Sequence, residues 1–216
     1  MIKAVIFDMD GLMIDSEPIQ SKGFKLLLKE YDKKPIYHAN GLLQVVGTTN
    51  NCAQFKIKYN INEELDVLKQ KRQQFYQKVL KSGAIKTMPG LNNLLEFLKH
   101  NNFKIAVATS SFLEDINVIF SKLKLFPYFN VLVTCEDVTK GKPAPDIYLE
   151  AAKRLNIKPA DCLVLEDSES GVTAGKNAGM KVVAVPNKFT KNHDFSKANL
   201  IIDSLNKIDW KIISTI

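Results

Sequence analysis

Short apolar runs rich in valine and isoleucine recur along the chain, separated by segments in which apolar residues follow helical spacing. Each run is three or four residues long, which is typical of strands buried on both faces of a sheet. Six such runs occur, at Ala4–Phe7, 105–108, Val131–Val133, 163–165, 182–185 and 200–202. The segments between them place apolar residues on one helix face, as at leucines 91, 94, 95 and 98 and in the stretches 112–123 and Asp146–Leu155. Strands that alternate with helices predict an α/β protein with an open parallel sheet and helices on both faces.

The alternation breaks over residues 16–82, where no strand pattern occurs. Two amphipathic helices are predicted there instead. The first is marked by Phe24, Leu27, Leu28 and Tyr31, and the second by Leu65, Leu68, Phe75, Tyr76, Val79 and Leu80. The sequence therefore predicts an α/β core of residues 1–15 and 83–216 and a helical domain of residues 16–82, with hinges near 14–16 and 82–85.

The basic residues of the chain are concentrated in this helical insert. The 216 residues carry a formal net charge of +7, and the insert, with 12 basic and 6 acidic residues, holds +6 of it. A solvated lysine-rich surface explains this excess, and so does a positive potential that draws in an anionic substrate. Only two of the 30 basic residues are arginine, the side chain that nucleic-acid recognition favours, so we expect no nucleic-acid partner.

The cysteines and the apolar runs bear on the location of the protein. The three cysteines, at positions 52, 135 and 162, form neither a disulfide framework nor a zinc pattern, and reduced thiols are typical of the cytoplasm. No apolar run approaches the roughly 18 residues of a membrane span, and acidic residues follow the first run where a signal peptide would have its cleavage site. We therefore expect a cytoplasmic protein without a membrane partner.

Candidate chemistry begins where the first strand ends. Asp8 and Asp10 follow Ala4–Phe7 and, at i and i+2, project to the same side. Ligands of open parallel sheets bind at the carboxyl ends of strands. Two close carboxylates favour a bound cation or a shared proton. With Mg²⁺, such a pair can orient a phosphate while one carboxylate attacks phosphorus and the other moves protons. The same pair alone is also typical of a solvated turn.

Three later strand ends carry complementary groups. Thr109 and Ser110 follow the second strand and can bind phosphate oxygens through a hydroxyl and amides at the start of a helix. Lys142 stands among prolines that stiffen the backbone and can clamp a phosphate. Glu166 and Asp167 follow the fourth strand and can supply a metal ligand. Each is individually explained as a helix cap, a surface lysine or a turn, but their order after buried strands predicts one site.

These four segments resemble, in order, the four motifs of the haloacid dehalogenase-like hydrolase superfamily. Within it, segment 15–18, the helical insert and segments 142–146 and 171–179 resemble the β-phosphoglucomutase-like phosphatases. The resemblance covers roughly residues 1–187. It implies a cap domain inserted after the first strand and a Mg²⁺-dependent phosphoric monoester hydrolase. The implied substrate is a small phosphorylated metabolite, such as a sugar phosphate or a nucleotide-related compound, and a monomer is the default for a capped hydrolase of this size.

The resemblance implies a role for each residue of the reaction. Asp8 would be the nucleophile that forms an aspartyl phosphate, and Asp10 the acid that protonates the leaving oxygen and then activates water. Thr109 and the amide of Ser110 would hold the transferring phosphoryl group. Lys142 would neutralise the charge on that group and on Asp8, as phosphoryl transfer requires.

A metal site is implied by the same motifs. Asp8, the Asp10 carbonyl and Asp167 would bind Mg²⁺, with Glu166 either ligating the ion or supporting its ligands. Closure of the cap would exclude water until the aspartyl phosphate has formed.

The branch also contains a mutase that moves a phosphoryl group between two positions of glucose phosphate, and β-phosphoglucomutase is the main alternative. This chain has Gln20 where the mutase has a histidine, Asn50 where it has an arginine, and Phe112 and Leu113 where it has lysine and asparagine. These differences remove polar contacts to a bisphosphorylated intermediate, so they favour hydrolysis. Gly47 lacks the neighbouring lysine or arginine of related phosphatases, which leaves substrate recognition by the cap open.

Two further alternatives are more remote. Dehalogenation does not need the metal ligands that Asp10 and Asp167 would supply. A non-catalytic polyanion-binding module would explain the basic insert, but it has no use for Asp8, Asp10, Lys142 and Asp167 together.

Overall fold

The computed structural model describes residues 1–37 and 52–216. The chain forms two compact units, Met1–Asp15 with Lys86–Ile216, and Ser16–Ile85. We call the first unit the core and the second the helical insert. No helix in the described part of the chain has the length and apolar character that crossing a membrane requires.

The core is built on one six-stranded sheet. Its strands are β1 Ala4–Phe7, β2 Lys104–Ala108, β3 Val131–Val133, β4 Cys162–Glu166, β5 Lys181–Ala184 and β6 Leu200–Ile201. The order is β3-β2-β1-β4-β5-β6 and every neighbouring pair is parallel, which confirms the predicted open parallel sheet. The strand order reverses at β1, which lies between β2 and β4, and the carboxyl ends at such a reversal form the usual crevice for ligands.

Eight α-helices are described. They are α1 Glu17–Glu30, α2 Cys52–Lys58, α3 Leu65–Ser82, α4 Leu91–His100, α5 Leu113–Leu123, α6 Asp146–Leu155, α7 Glu169–Asn177 and α8 Trp210–Thr215. The first three belong to the helical insert and the other five to the core.

Helices cover both faces of the sheet because successive strand residues point to opposite faces. Ala4 and Ile6 of β1 pack in one apolar cluster with residues of α6 and α7, among them Tyr148. On the other face, Phe7 contacts the ring of Phe129 with centroids 6.1 Å apart, and Phe129 in turn packs on α5. Helices on both faces explain why β1 and β4 are buried throughout.

The helical insert has an apolar core of its own. Phe24 of α1, Phe55 of α2 and Leu68 of α3 are buried together. Ring centroids lie 5.0 Å apart between Phe24 and Phe55, and 4.8 Å apart between Phe55 and Tyr59. The helices α1 and α3 correspond to the two that helical spacing predicts, whereas α2 has no counterpart in that prediction.

The chain leaves and re-enters the core at adjacent positions. Ile14 forms an antiparallel bridge with Thr87. On either side of this bridge, the Asp15 N–H donates to the Lys86 carbonyl at 3.0 Å, and the Met88 N–H donates to the Met13 carbonyl at 2.8 Å. The two connections to the insert therefore start from one hydrogen-bonded pair of segments.

Candidate active site

A tight bend directly after β1 presents the first pair of carboxylates. The Asp8 N–H continues the sheet by donating to the Leu165 carbonyl at 3.0 Å, and the Gly11 N–H then closes the bend by donating to the Ile14 carbonyl at 2.9 Å. Gly11 has φ of +90°, and a Cβ there would lie 2.8 Å from Asn187 Nδ2. Only glycine fits this bend without strain, because it tolerates both the conformation and the close approach.

Lys142 connects groups at the ends of three neighbouring strands. Its Nζ donates to Asp8 Oδ1 at 2.5 Å, to Glu166 Oε1 at 2.6 Å and to the Ala108 carbonyl at 3.2 Å. The ammonium also lies 4.9 Å from the centre of the Tyr148 ring, and only 6% of the side chain is exposed. Charge-assisted hydrogen bonds to two carboxylates fix this ammonium in the buried site.

Glu166 is fully buried and accepts hydrogen bonds on both carboxylate oxygens. Besides Lys142, the Tyr148 hydroxyl donates to Oε1 at 2.8 Å. The Ser168 N–H and hydroxyl donate to Oε2 at 3.0 and 2.9 Å. The first turn of α7 passes so close that a Cβ at Gly171 would overlap the Glu166 carboxylate. Glu166 is therefore committed to protein donors, and the absence of a side chain at Gly171 leaves room for its carboxylate.

Asp167 is held by an asparagine that the sequence analysis did not single out. Asn187 Nδ2 donates to Asp167 Oδ2 at 2.7 Å and to the Gly11 carbonyl at 3.0 Å. The Asn187 Oδ1 accepts the Phe189 N–H at 2.7 Å, which fixes the orientation of the amide. Asn187 thus ties Asp167 to the bend after β1. Its position just beyond β5 was a usable signal, since the other candidate residues also follow strand ends.

The loop between β2 and α5 carries the predicted phosphate-binding residues. Thr109 is buried, its N–H donates to the Val133 carbonyl at 3.0 Å, and its Oγ1 accepts the Ser111 N–H at 3.1 Å. Ser110 is exposed. The Ser111 hydroxyl donates to Asp10 Oδ2 at 2.6 Å, so this loop is joined to the bend after β1. The sequence pointed to phosphate binding or a helix cap for the segment 109–111, and it did not predict the contact between Ser111 and Asp10.

The positions at which the sequence analysis expects a difference from the mutase lie in different parts of the chain. Phe112 directly precedes α5, and Leu113 opens the helix with 46% of its surface exposed. Within the insert, Gln20 Oε1 accepts a hydrogen bond from Arg72, whose guanidinium lies 5.5 Å from the centre of the Phe24 ring. Asn50, the fourth position of difference from the mutase, and Gly47, the position of difference from the related phosphatases, fall outside the described residues.

The electrostatics of the site follow from three buried carboxylates that share one ammonium. Burial raises the pKa of Asp8 to about 8; the Lys142 ammonium opposes this rise and the Glu166 carboxylate adds to it. Burial, together with the charges of Glu166 and Asp8, holds the pKa of Asp167 well above its usual range. Burial would also raise the pKa of Glu166, but Lys142 and the hydrogen bonds to its carboxylate lower it overall. Although burial acts to lower the pKa of Lys142, Asp8 and Glu166 hold it well above the usual range.

This excess of negative charge fits a divalent cation. One carboxylate oxygen from each of Asp8, Glu166 and Asp167 lies within 4.8 Å of the other two, and Glu166 is the one of the three whose oxygens are both taken by protein donors. Carboxylate oxygens are the ligands that Mg²⁺ prefers, and a cation would offset both the burial and the neighbouring negative charges that raise the pKa values of Asp8 and Asp167. The cluster can therefore hold a metal ion.

Comparison with known sequences identifies the family. Residues 5–185 match the family described as haloacid dehalogenase-like hydrolase. The chain belongs to this family. This match confirms the family predicted from the four motifs, and relatives named as phosphatases confirm the prediction of a phosphatase enzyme.

Individual relatives of this haloacid dehalogenase-like chain include both phosphatases and a mutase. The bifunctional riboflavin kinase/FMN phosphatase of Arabidopsis thaliana is 37% identical over 205 residues; the match covers 93% of this chain, which spans only 53% of that relative. The phosphorylated carbohydrates phosphatase of Thermotoga maritima is 33% identical over 180 residues, 83% of each chain. A crystal structure of β-phosphoglucomutase from Clostridium difficile superposes with a TM-score of 0.79 at 26% identity, covering 99% of this chain and 96% of the other.

Proposed function

We propose that this chain is a Mg²⁺-dependent phosphomonoester hydrolase that acts on a small phosphorylated metabolite through an aspartyl phosphate on Asp8. One observation supports the proposal most directly: Lys142 contacts Asp8 and Glu166 inside a buried cluster of three carboxylates. A carboxylate nucleophile, a fixed ammonium and a cation site together are what phosphoryl transfer to an aspartate needs.

The first half-reaction transfers the phosphoryl group to the protein. An Asp8 oxygen bonds to phosphorus while the bond from phosphorus to the leaving oxygen breaks, and Asp10 gives its proton to that oxygen. Lys142 stabilises the charge that develops on the phosphoryl oxygens. The Thr109 hydroxyl and the Ser110 N–H would bind those oxygens at the start of α5, where exposed amides favour anions.

The second half-reaction returns the protein to its starting state. Asp10, now a carboxylate, takes a proton from water, and the water oxygen bonds to phosphorus. The bond between phosphorus and Asp8 breaks, which releases inorganic phosphate. One carboxyl group thus serves as acid and then as base, and no other proton donor is required.

Asp8, the Asp10 carbonyl and Asp167 would hold the metal ion. Bound Mg²⁺ would neutralise charge on the phosphate and on the carboxylates around it. Both oxygens of Glu166 already accept hydrogen bonds, so we assign it the supporting role: it fixes Lys142 and does not bind the ion. Asn187 would also have a supporting role, because it donates a hydrogen bond to the metal ligand Asp167 and orients it without binding the ion.

The relatives and the charge of the insert support the proposed substrate class. Relatives named for phosphorylated carbohydrates and for FMN point to sugar phosphates and nucleotide-related monophosphates. The basic helical insert would attract either kind of anion. Phe112 and Leu113 place apolar side chains where the mutase has lysine and asparagine, which favours release of phosphate over its return to a second position of a sugar.

The test is phosphate release from a panel of sugar phosphates and nucleoside monophosphates, with Mg²⁺ and with EDTA. Asp8→Asn is the blank, because it keeps the size of the side chain and removes the nucleophile. We expect Mg²⁺-dependent release by the unmodified protein and none by Asp8→Asn, with unchanged thermal unfolding. Phosphate release by the variant would refute the mechanism, and isomerisation of β-glucose 1-phosphate without net release would establish the mutase instead.

A further inference from the structure

One oxygen of the Asp10 carboxylate is anchored and the other is not. The Ser111 hydroxyl donates to Asp10 Oδ2 at 2.6 Å. Oδ1 is buried and has no hydrogen-bond partner among residues 1–37 and 52–216. The Ser111 hydroxyl therefore donates the hydrogen bond that sets the orientation of the Asp10 carboxyl group in the described part of the chain.

Ser111 is itself fixed by its backbone. Its N–H donates to Thr109 Oγ1 at 3.1 Å, and its carbonyl accepts the Cys135 N–H at 3.4 Å. These bonds tie the loop to itself and to the segment beyond β3. They do not involve the Ser111 side chain, so the hydroxyl is free to serve Asp10 and its removal leaves the loop anchored.

We propose that Ser111 is a positioning residue for Asp10, whose hydroxyl orients the carboxyl group for proton transfer to the leaving oxygen. The inference rests on the proposed function, in which Asp10 is the general acid. In that step Asp10 loses its proton to the oxygen that separates from phosphorus, while Ser111 keeps its own proton and remains a donor to Oδ2. General acid catalysis contributes about 10²- to 10⁴-fold to such reactions, and it depends on alignment of donor and acceptor.

Substrates with different leaving groups distinguish a positioning role of Ser111 from a merely structural one. An alkoxide is a poor leaving group and must receive a proton as its bond to phosphorus breaks. The anion of p-nitrophenol is stable and leaves with little help from an acid. Loss of alignment at Asp10 therefore slows an alkyl phosphate far more than p-nitrophenyl phosphate, whereas general damage to the site slows both equally. The ratio kcat/KM isolates this step, because it reports reaction up to formation of the aspartyl phosphate and departure of the leaving group.

The experiment compares kcat/KM for p-nitrophenyl phosphate and for the alkyl phosphate that the unmodified protein hydrolyses fastest, both at saturating Mg²⁺. We expect Ser111→Ala to lower kcat/KM for the alkyl phosphate about 10-fold or more, which is part of the total contribution of general acid catalysis. It should lower kcat/KM for p-nitrophenyl phosphate less than about 3-fold. Ser111→Thr, which keeps the hydroxyl, should stay within about 3-fold on both substrates. Ser121→Ala removes an exposed hydroxyl from α5 and is the matched control.

Two results would overturn the role of Ser111: an equal loss on both substrates, or no loss on either. If Ser111→Ala does not fold, the isosteric pair Ser111→Thr and Ser111→Val makes the same comparison, with valine lacking the hydroxyl. Failure of the unmodified protein to hydrolyse any phosphate ester would overturn the proposed function, and the role of Ser111 with it. The two failures are therefore distinguishable, because only the second appears in the unmodified protein.

Discussion

Replacement of Gly171 by alanine sets two opposite effects against each other. Alanine is the better helix former by about 1 kcal/mol, so helix propensity alone predicts that Gly171→Ala stabilises α7. The added Cβ, however, would overlap the Glu166 carboxylate. That carboxylate is fully buried and is held by donors from Lys142, Tyr148 and Ser168. The carboxylate cannot move aside without breaking these hydrogen bonds.

The size of the steric effect follows from the bonds that Glu166 would lose. Breaking a buried ion pair costs about 3–5 kcal/mol, since it leaves charges without partners. This exceeds the gain in helix propensity, and we expect Gly171→Ala to lower the free energy of unfolding by about 3 kcal/mol. A shift of Glu166 also releases Lys142, so phosphatase activity should fall in parallel.

Urea unfolding in EDTA measures the change, with Gly141→Ala as the matched control. A Cβ at Gly141 meets no atom within 4 Å, and its φ is not positive, so this variant should match or slightly exceed the stability of the unmodified protein. A Gly171→Ala protein as stable as the unmodified one would refute the reasoning, because it would mean that Glu166 can leave its place without penalty.

Two further substitutions test other parts of the site. Lys142→Ala should lower kcat/KM about 100-fold or more, which is the loss seen when one fixed stabiliser of transition-state charge is removed. Lys140→Ala, which replaces an exposed lysine, should leave kcat/KM unchanged. Steady-state kinetics on the best substrate measure both values, and an unchanged kcat/KM in Lys142→Ala would exclude Lys142 from the reaction. Asn187→Ala should raise the Mg²⁺ concentration for half-maximal activity about 10-fold, because it removes a residue that orients the metal ligand Asp167. The activity of this variant should return to that of the unmodified protein at saturating Mg²⁺. Magnesium titration of activity measures the shift against Asn93→Ala on the exposed face of α4, and equal requirements in both variants would contradict it.

The sheet was predictable because buried parallel strands are continuous apolar runs. Ala4–Phe7 and Val131–Val133 are strands with the predicted ends, and the last strand is one residue shorter than its apolar run. The short helix α2 was missed, since only Cys52 and Phe55 of its seven residues are buried and two positions do not establish a period. Periodicity reports burial, so it fails where an element buries little.

The candidate site was predictable to the extent that its groups follow strand ends. Asp8 follows β1 and Glu166 ends the neighbouring parallel strand β4, so their proximity was predictable, and Lys142, from the segment before α6, contacts both. The Tyr148 hydroxyl was missed for a different reason. Tyr148 lies on the apolar face of α6, where a tyrosine that packs in the core and one that also donates to a buried carboxylate leave the same sequence pattern.

The segments at Ile14 and Thr87, which are hydrogen-bonded to each other, mark the two ends of the insert in the chain. Because the chain departs and returns at neighbouring points, the intervening residues can be exchanged without altering the path of the core. The groups assigned to phosphoryl transfer, from Asp8 to Asp167, all belong to the core, while the insert has an apolar core of its own. Mutation and recombination can therefore alter the insert while the groups of the core that we assign to phosphoryl transfer are inherited unchanged.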